Sequence, residues 1–216
     1  MAVLSDWRVE GTENVPAAGP LLVVANHFSF VDPPLLAASI SRPMTFVAKA
    51  ELWEATPARL FCQAIRMLPI RRGEADRTAL RGALRVLEAG RALAFFPEGT
   101  RGKEPVKRLK QAHDGIAFLA RLSGAPVLPV GIYGTEVIDT TNDIVPQALR
   151  RPAFRVRIGE TFKLPPKTIG KSSQTLSADT AFIMAHIARL LPEHYRGYYA
   201  EDAQRLSEHE GTTPAP

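Results

Sequence analysis

The chain has a single cysteine, Cys62, among 216 residues. One thiol closes no internal disulfide, so a disulfide-stapled secreted scaffold is excluded and a reducing compartment is the default expectation. Long apolar runs are missing as well: no stretch approaches the roughly 20 apolar residues that a membrane-spanning helix needs. The first residues lack the basic region and apolar run of a secretory leader, and Met1 to Val15 carries Asp6, Arg8, Glu10 and Glu13. An integral membrane protein is therefore not expected, whereas a peripheral one is compatible with the composition. The five histidines fall in no metal-ligand spacing, and there is no His-Glu-x-x-His. There is no Gly-x-Ser-x-Gly elbow for a serine nucleophile either. Aromatics are 7% of the chain and sit inside apolar runs rather than between Lys and Arg, which argues against nucleic-acid binding.

What is present describes an ordinary globular chain. Hydrophobic residues are 45% and charged residues 23%, and the length suits one well-packed α/β domain. Lys and Arg number 27 against 22 Asp and Glu, a formal +5 with a pI near 9.6. That balance favours anionic partners without choosing among them.

Short apolar runs alternate with helical patterns. Pro20–Ala25 reads as a fully buried strand, followed by candidate strands at Thr45–Ala48, Ala92–Phe96 and Pro126–Tyr133. Phe154–Ile158 alternates apolar and basic residues, as a half-exposed edge strand would. The clearest helix begins at Asp76 as cap, repeats Leu80, Ala83, Leu84 and Leu87 at helical spacing, and stops at Gly90. Arg77, Arg81 and Arg85 form a stripe on another face, the usual solvated face or a contact to anionic lipid. Further helices are expected at Leu35–Ser41, Pro57–Met67, Ile116–Ser123 and Asp179–Leu191. Alternating strands and helices predict a single α/β domain, residues 1–202, with a largely parallel central sheet flanked by helices. Residues 203–216 are polar and read as a flexible tail.

Two polar clusters follow directly on apolar strands, where α/β proteins place their sites. The first is Asn26-His27-Phe28-Ser29-Phe30-Val31-Asp32. On one helix, five residues would turn His27 and Asp32 apart by about 140°. Pro33 disfavours helical geometry at Asp32 and suits a first helical turn itself, so the segment reads as a turn that can bring imidazole and carboxylate together. Such a pair is what a general base acting on an alcohol requires. An ordinary N-cap role for Asp32, beside a buried structural histidine, is the competing reading, and both stand at this point.

The second cluster is Phe96-Pro97-Glu98-Gly99-Thr100-Arg101. Gly99 permits a tight turn with exposed amides, Thr100 offers a hydroxyl and Arg101 a planar fork suited to phosphate oxygens. Lys103, Lys107, Arg108 and Lys110 extend the positive potential. A base beside an anion clamp is the combination these two turns suggest. His113-Asp114 is not expected to form a second catalytic pair, because neighbours at a helix start commonly point apart.

In these blocks the chain resembles the glycerolipid acyltransferases, in particular the bacterial 1-acylglycerol-3-phosphate acyltransferases. Asn26-His27 to Asp32 is similar to that family's Asn-His-x-x-x-x-Asp block, and Phe96 to Arg101 to its Phe-Pro-Glu-Gly-Thr-Arg block. Leu68-Pro69-Ile70-Arg71-Arg72 and Val127-Leu128-Pro129-Val130 stand where its two weaker blocks are expected. The resemblance runs from about Val9 to about Tyr199. It implies that His27 is the base that deprotonates the acceptor hydroxyl and that Asp32 orients it. It also implies that Glu98, Gly99, Thr100 and Arg101, with Arg71 and Arg72, bind the acceptor's phosphate, and that Val127–Val130 shapes the acyl-donor side.

The reaction so implied is attack of an alcohol on an acyl thioester, from acyl-CoA or acyl carrier protein, giving phosphatidic acid from lysophosphatidic acid. A thioester needs no protein nucleophile, so no bound cofactor or metal is expected, and Cys62 reads as core. The alternatives are another lysophospholipid or a lyso-aminolipid as acceptor, a hydrolase using the same base, and a non-catalytic lipid-binding protein of the same fold. Membrane helices usual in the family before the His block have no counterpart in the short stretch before Asn26. Contact with the inner face of the membrane from the cytoplasm is therefore expected through Leu52, Trp53, Leu60 and Phe61 ringed by basic residues.

Overall fold

Leu21–Ala25 carries no polar side chain, and all five residues are fully buried in the computed structural model. Only a strand covered on both faces accommodates such a run, and this strand, β2, lies at the centre of a seven-stranded sheet. The structure describes residues 6–50, 67–70, 77–101, 107–138, 143, 147, 150–165 and 173–210. Its strands are β1 (Asp6–Glu10), β2 (Leu21–Ala25), β3 (Met44–Lys49), β4 (Met67–Ile70), β5 (Ala92–Phe95), β6 (Val127–Tyr133) and β7 (Ala153–Ile158). They lie in the order β1-β7-β6-β2-β5-β3-β4. Every neighbouring pair is parallel except β6 with β7. The expectation of one α/β domain with a largely parallel sheet is met.

Alternation along β2 divides the core. Leu21, Val23 and Ala25 face Leu35, Leu36 and Ile40 in and after α1 (Asp32–Ser39). Leu22 and Val24 face the other layer, built by α2 (Arg77–Glu88), α3 (Gly115–Ser123) and α4 (Ser173–Leu190). In α2 the buried residues are Ala79, Ala83 and Leu87, while Arg77, Arg81 and Arg85 are exposed. Arg121 joins α3 to α4 through Asp179, with Nε donating to Oδ2 at 2.7 Å and Nη2 to Oδ1 at 2.5 Å.

Three expectations are corrected. Phe154–Ile158 is half-exposed but not an edge strand, because β1 pairs along its outer side. Arg155 and Arg157 reach across to Asp6 and Glu10 at 2.8 and 2.9 Å, a charged ladder that the sequence of either strand alone conceals. Met67 opens β4 instead of ending a helix; Pro69 fits there because β4 lies at the sheet edge, where a missing amide costs no ladder bond. Residues 57–66 of that expected helix lie outside the described residues, as do Cys62, Asp76 and the proposed membrane contacts Leu52, Trp53, Leu60 and Phe61. Finally, the tail read from residue 203 onward is helical through Glu210. This helix, α5 (Ala200–Glu210), is polar nearly throughout and is seated by Ala203, fully buried beside Tyr199. Among the described residues, no helix is long and apolar enough to cross a membrane.

Candidate active site

β2 and β5 are adjacent and parallel, with Val24 level with Phe95. Their carboxyl ends therefore deliver the His27 and Glu98 turns to the same edge of the sheet, the edge where open α/β sheets bind ligands. β6 flanks β2 on its other side, also parallel, and brings Gly134 and Thr135 to that edge. Three segments far apart in sequence thus converge because their strands are neighbours.

The first turn is built around one carboxylate. Asp32 is fully buried, and its Oδ2 lies 3.0 Å from His27 Nδ1. The same oxygen accepts the Phe28 and Ser29 amides, each at 2.7 Å. Oδ1 accepts the Thr135 hydroxyl at 2.6 Å. The N-cap of α1 is Val31, with no side-chain cap bond. Asp32 therefore turns back onto the His27 loop instead of capping the helix that it opens, and the capping reading is set aside. A carboxylate at Nδ1 favours the tautomer with Nδ1 protonated, leaving Nε2 free to take a proton. The imidazole keeps 18% of its side-chain surface exposed and packs on Phe96, with ring centroids 4.6 Å apart. Asn26 fixes the start of the turn: its amide donates to Ile132 O and accepts from Ile132 N, both at 2.7 Å. Ser29 Oγ donates to Ile138 O.

In the second turn, Gly99 has φ 69°, a left-handed conformation that side-chain-bearing residues adopt at a cost. Thr100 and Arg101 are exposed, and the Arg101 guanidinium lies 6.0 Å from the Phe30 ring, bringing its charge toward the His27 turn. Glu98 behaves differently from what the resemblance implies. It is buried, and its Oε1 and Oε2 accept the amides of His27 and Lys110, each at 3.0 Å. Buried, with both oxygens occupied by backbone amides, Glu98 supports the backbone of the His27 turn. Arg71 and Arg72 lie outside the described residues.

Burial pushes the Glu98 carboxyl from 4.5 up to about 7, against the two amides, which favour its charged form. Because the folded-state value is the higher one, the folded chain keeps a proton that the unfolded chain releases. The stabilisation from this group is complete below about pH 4.5 and is lost as pH rises through about 7. Glu98→Gln cannot ionise, so the stability of the wild type relative to this variant should fall by about 3 kcal/mol between pH 4.5 and pH 8. Denaturant unfolding at several pH values measures it; the amide's own misfit is a constant offset and does not change the sign.

His113 and Asp114 do not pair: Asp114 Oδ1 accepts the Thr180 hydroxyl at 2.8 Å. No group of three or more His, Cys, Asp or Glu suited to a metal occurs among the described residues. Sequence reading missed Thr135 as a partner of Asp32; the available signal was a polar residue directly after Gly134 at the end of an apolar strand.

A cavity of about 390 Å³ opens between α2, α3 and the sheet. Val47, Leu68, Leu80, Phe95 and Phe118 line it, with Arg77 among its borders. Phe95 packs in this layer, whereas Phe96, the ring against His27, packs in the α1 layer across the sheet.

Comparison with known proteins agrees with this arrangement. The crystal structure of the 1-acyl-sn-glycerophosphate (LPA) acyltransferase PlsC from Thermotoga maritima superposes with a TM-score of 0.63 at 26% identity, covering 99% of this chain and 76% of that one. The chloroplastic 1-acyl-sn-glycerol-3-phosphate acyltransferase BAT2 of Brassica napus is 29% identical over 136 residues, 62% of this chain and 39% of that protein. The lyso-ornithine lipid O-acyltransferase of Pseudomonas aeruginosa is 38% identical over 114 residues, 52% of this chain and 43% of that protein. The chain thus spans less than half the length of either of these curated relatives. The family model described as Acyltransferase matches residues 6–133, more than half of the chain and the stretch that holds the His27 and Glu98 turns. The chain belongs to the acyltransferase family.

Proposed function

We propose that this chain transfers an acyl group from an acyl thioester to the free hydroxyl of 1-acylglycerol-3-phosphate, giving phosphatidic acid. The observation that carries this reading is the buried Asp32 carboxylate at His27 Nδ1, beside the Arg-bearing turn at Gly99–Arg101. His27 Nε2 takes the acceptor's hydroxyl proton as its oxygen attacks the thioester carbonyl. The C–S bond then breaks, and the thiolate leaves with the proton returned from the imidazolium. Arg101, with Thr100 in the turn that Gly99 allows and with Arg71 or Arg72, holds the acceptor phosphate. The apolar cavity beside Phe95 is of a size to take an acyl chain. Acyl-CoA or acyl carrier protein supplies the thioester.

The same reading places the protein in the cytoplasm, peripherally on the inner membrane face. Exposed Phe118 and Leu122 on α3 and the exposed Arg77, Arg81 and Arg85 on α2 suit an anionic bilayer.

The test is to incubate purified protein with acyl-CoA and 1-acylglycerol-3-phosphate and to follow both thiol release and lipid product by mass spectrometry. Thiol without acylated lipid is hydrolysis and overturns the transferase reading. The identity with the lyso-ornithine lipid enzyme supports a second reading, a lyso-aminolipid acceptor, so that lipid belongs in the same assay. Arg101→Ala separates the two. It should raise KM for the phosphate-bearing acceptor about 10- to 100-fold, the worth of one or two charged hydrogen bonds, with kcat little changed. An unchanged KM removes Arg101 from the phosphate site.

A further inference from the structure

Resting on the reading of His27 as the base, we propose that Thr135 is a positioning residue for acyl transfer, locking the plane of the Asp32 carboxylate and through it the His27 tautomer. Asp32 Oδ2 is held by His27 Nδ1 and by the amides of Phe28 and Ser29, all within its own turn. Contacts converging on one oxygen leave the carboxylate free to swing about it. Thr135 supplies the hydrogen bond to Oδ1, at 2.6 Å and from a different part of the fold. It is a charge-assisted bond between fully buried partners, and the branched Thr side chain has few rotamers in which to lose it.

The backbone around Thr135 is shaped for this contact. Gly134 has φ 85°, and a Cβ there would stand 2.0 Å from Ala153 O. Only glycine fits, and its left-handed conformation turns the chain from β6 into the 3₁₀ turn Thr135–Val137. Ile138 N closes that turn on Thr135 O at 2.9 Å, and Ile138 O in turn receives the Ser29 hydroxyl. The segment after β6 thus grips the catalytic turn at both Ser29 and Asp32, and the Thr135 contact is the one that reaches the functional carboxylate.

Thr135→Val keeps shape and removes the donor; Thr135→Ser keeps the donor. With acyl-CoA and 1-acylglycerol-3-phosphate as substrates, Thr135→Val should lower kcat about 10- to 100-fold and leave both KM values within about twofold. Thr135→Ser should recover most of that loss, with both variants still melting cooperatively. Nitrogen-15 spectra of the His27 imidazole should report the Nδ1–H tautomer in the wild type and a mixture in Thr135→Val. A kcat within twofold of wild type, or an unchanged tautomer in Thr135→Val, overturns the proposal. Full turnover in His27→Ala overturns the catalytic reading instead; the tautomer spectra, which need no turnover, then decide whether Thr135 governs the pair.

Discussion

Replacing His27 by alanine should lower kcat about 10²- to 10⁴-fold in the thiol-release assay, with little change in either KM. The size follows from the role of the imidazole. An alcohol is a poor nucleophile at neutral pH, and a base at Nε2 removes its proton as the bond to the thioester carbon forms. Among the described residues, neither carboxylate at this edge replaces it: Glu98 has both oxygens on backbone amides and Asp32 is sealed from solvent. Removing the ring also takes away the partner of Phe96, so the comparison should include His27→Gln, which keeps some packing and no base. Equal losses in the two variants identify proton transfer as the cause. A loss in alanine alone points to packing and removes His27 from the chemistry.

Asp32→Asn is the second large effect, about 10²- to 10⁴-fold in kcat, and it separates charge from geometry. With its carbonyl oxygen in the Oδ2 position, asparagine still accepts the Phe28 and Ser29 amides and the His27 Nδ1–H. Its amide then donates to the Thr135 hydroxyl, which can turn to accept. The turn should therefore keep its shape and its melting temperature should change little. What is lost is the negative charge that stabilises the imidazolium formed during attack. A kcat within tenfold of wild type would mean that Asp32 acts only by shaping the turn.

Much of the fold was legible in sequence where burial was complete. β2, β5 and β6 read as strands because parallel strands covered on both faces are apolar almost throughout. β1 hid because Asp6, Arg8 and Glu10 alternate with Trp7 and Val9 in a short segment; its strand character depends on the charges of β7, which lie far away in sequence. α5 hid because a helix seated on one alanine looks like a polar tail. At the site, the spacing of His27 and Asp32 left pairing and capping equally open, and the oxygen contacts of Asp32 decide between them. Glu98 misled for the opposite reason. A carboxylate in a Gly-containing turn between basic residues looks like part of a ligand loop, and only its burial reveals a backbone support. Thr135 gave almost no signal, since a threonine after a glycine is common and its role exists only once β6 lies beside β2.

That adjacency has a consequence for how the active centre comes into being during synthesis. Ile132, Thr135 and Ile138, which hold Asn26, Asp32 and Ser29, follow them by 106, 103 and 109 positions. At roughly 5–20 residues per second, a ribosome reaches them about 5–20 s after making the residues they secure. Through that interval the apolar β2 has no β6 beside it, and the His27 turn lacks both its strand clamp and the anchor of its carboxylate. The His27 turn is therefore made well before the segment that sets it in place.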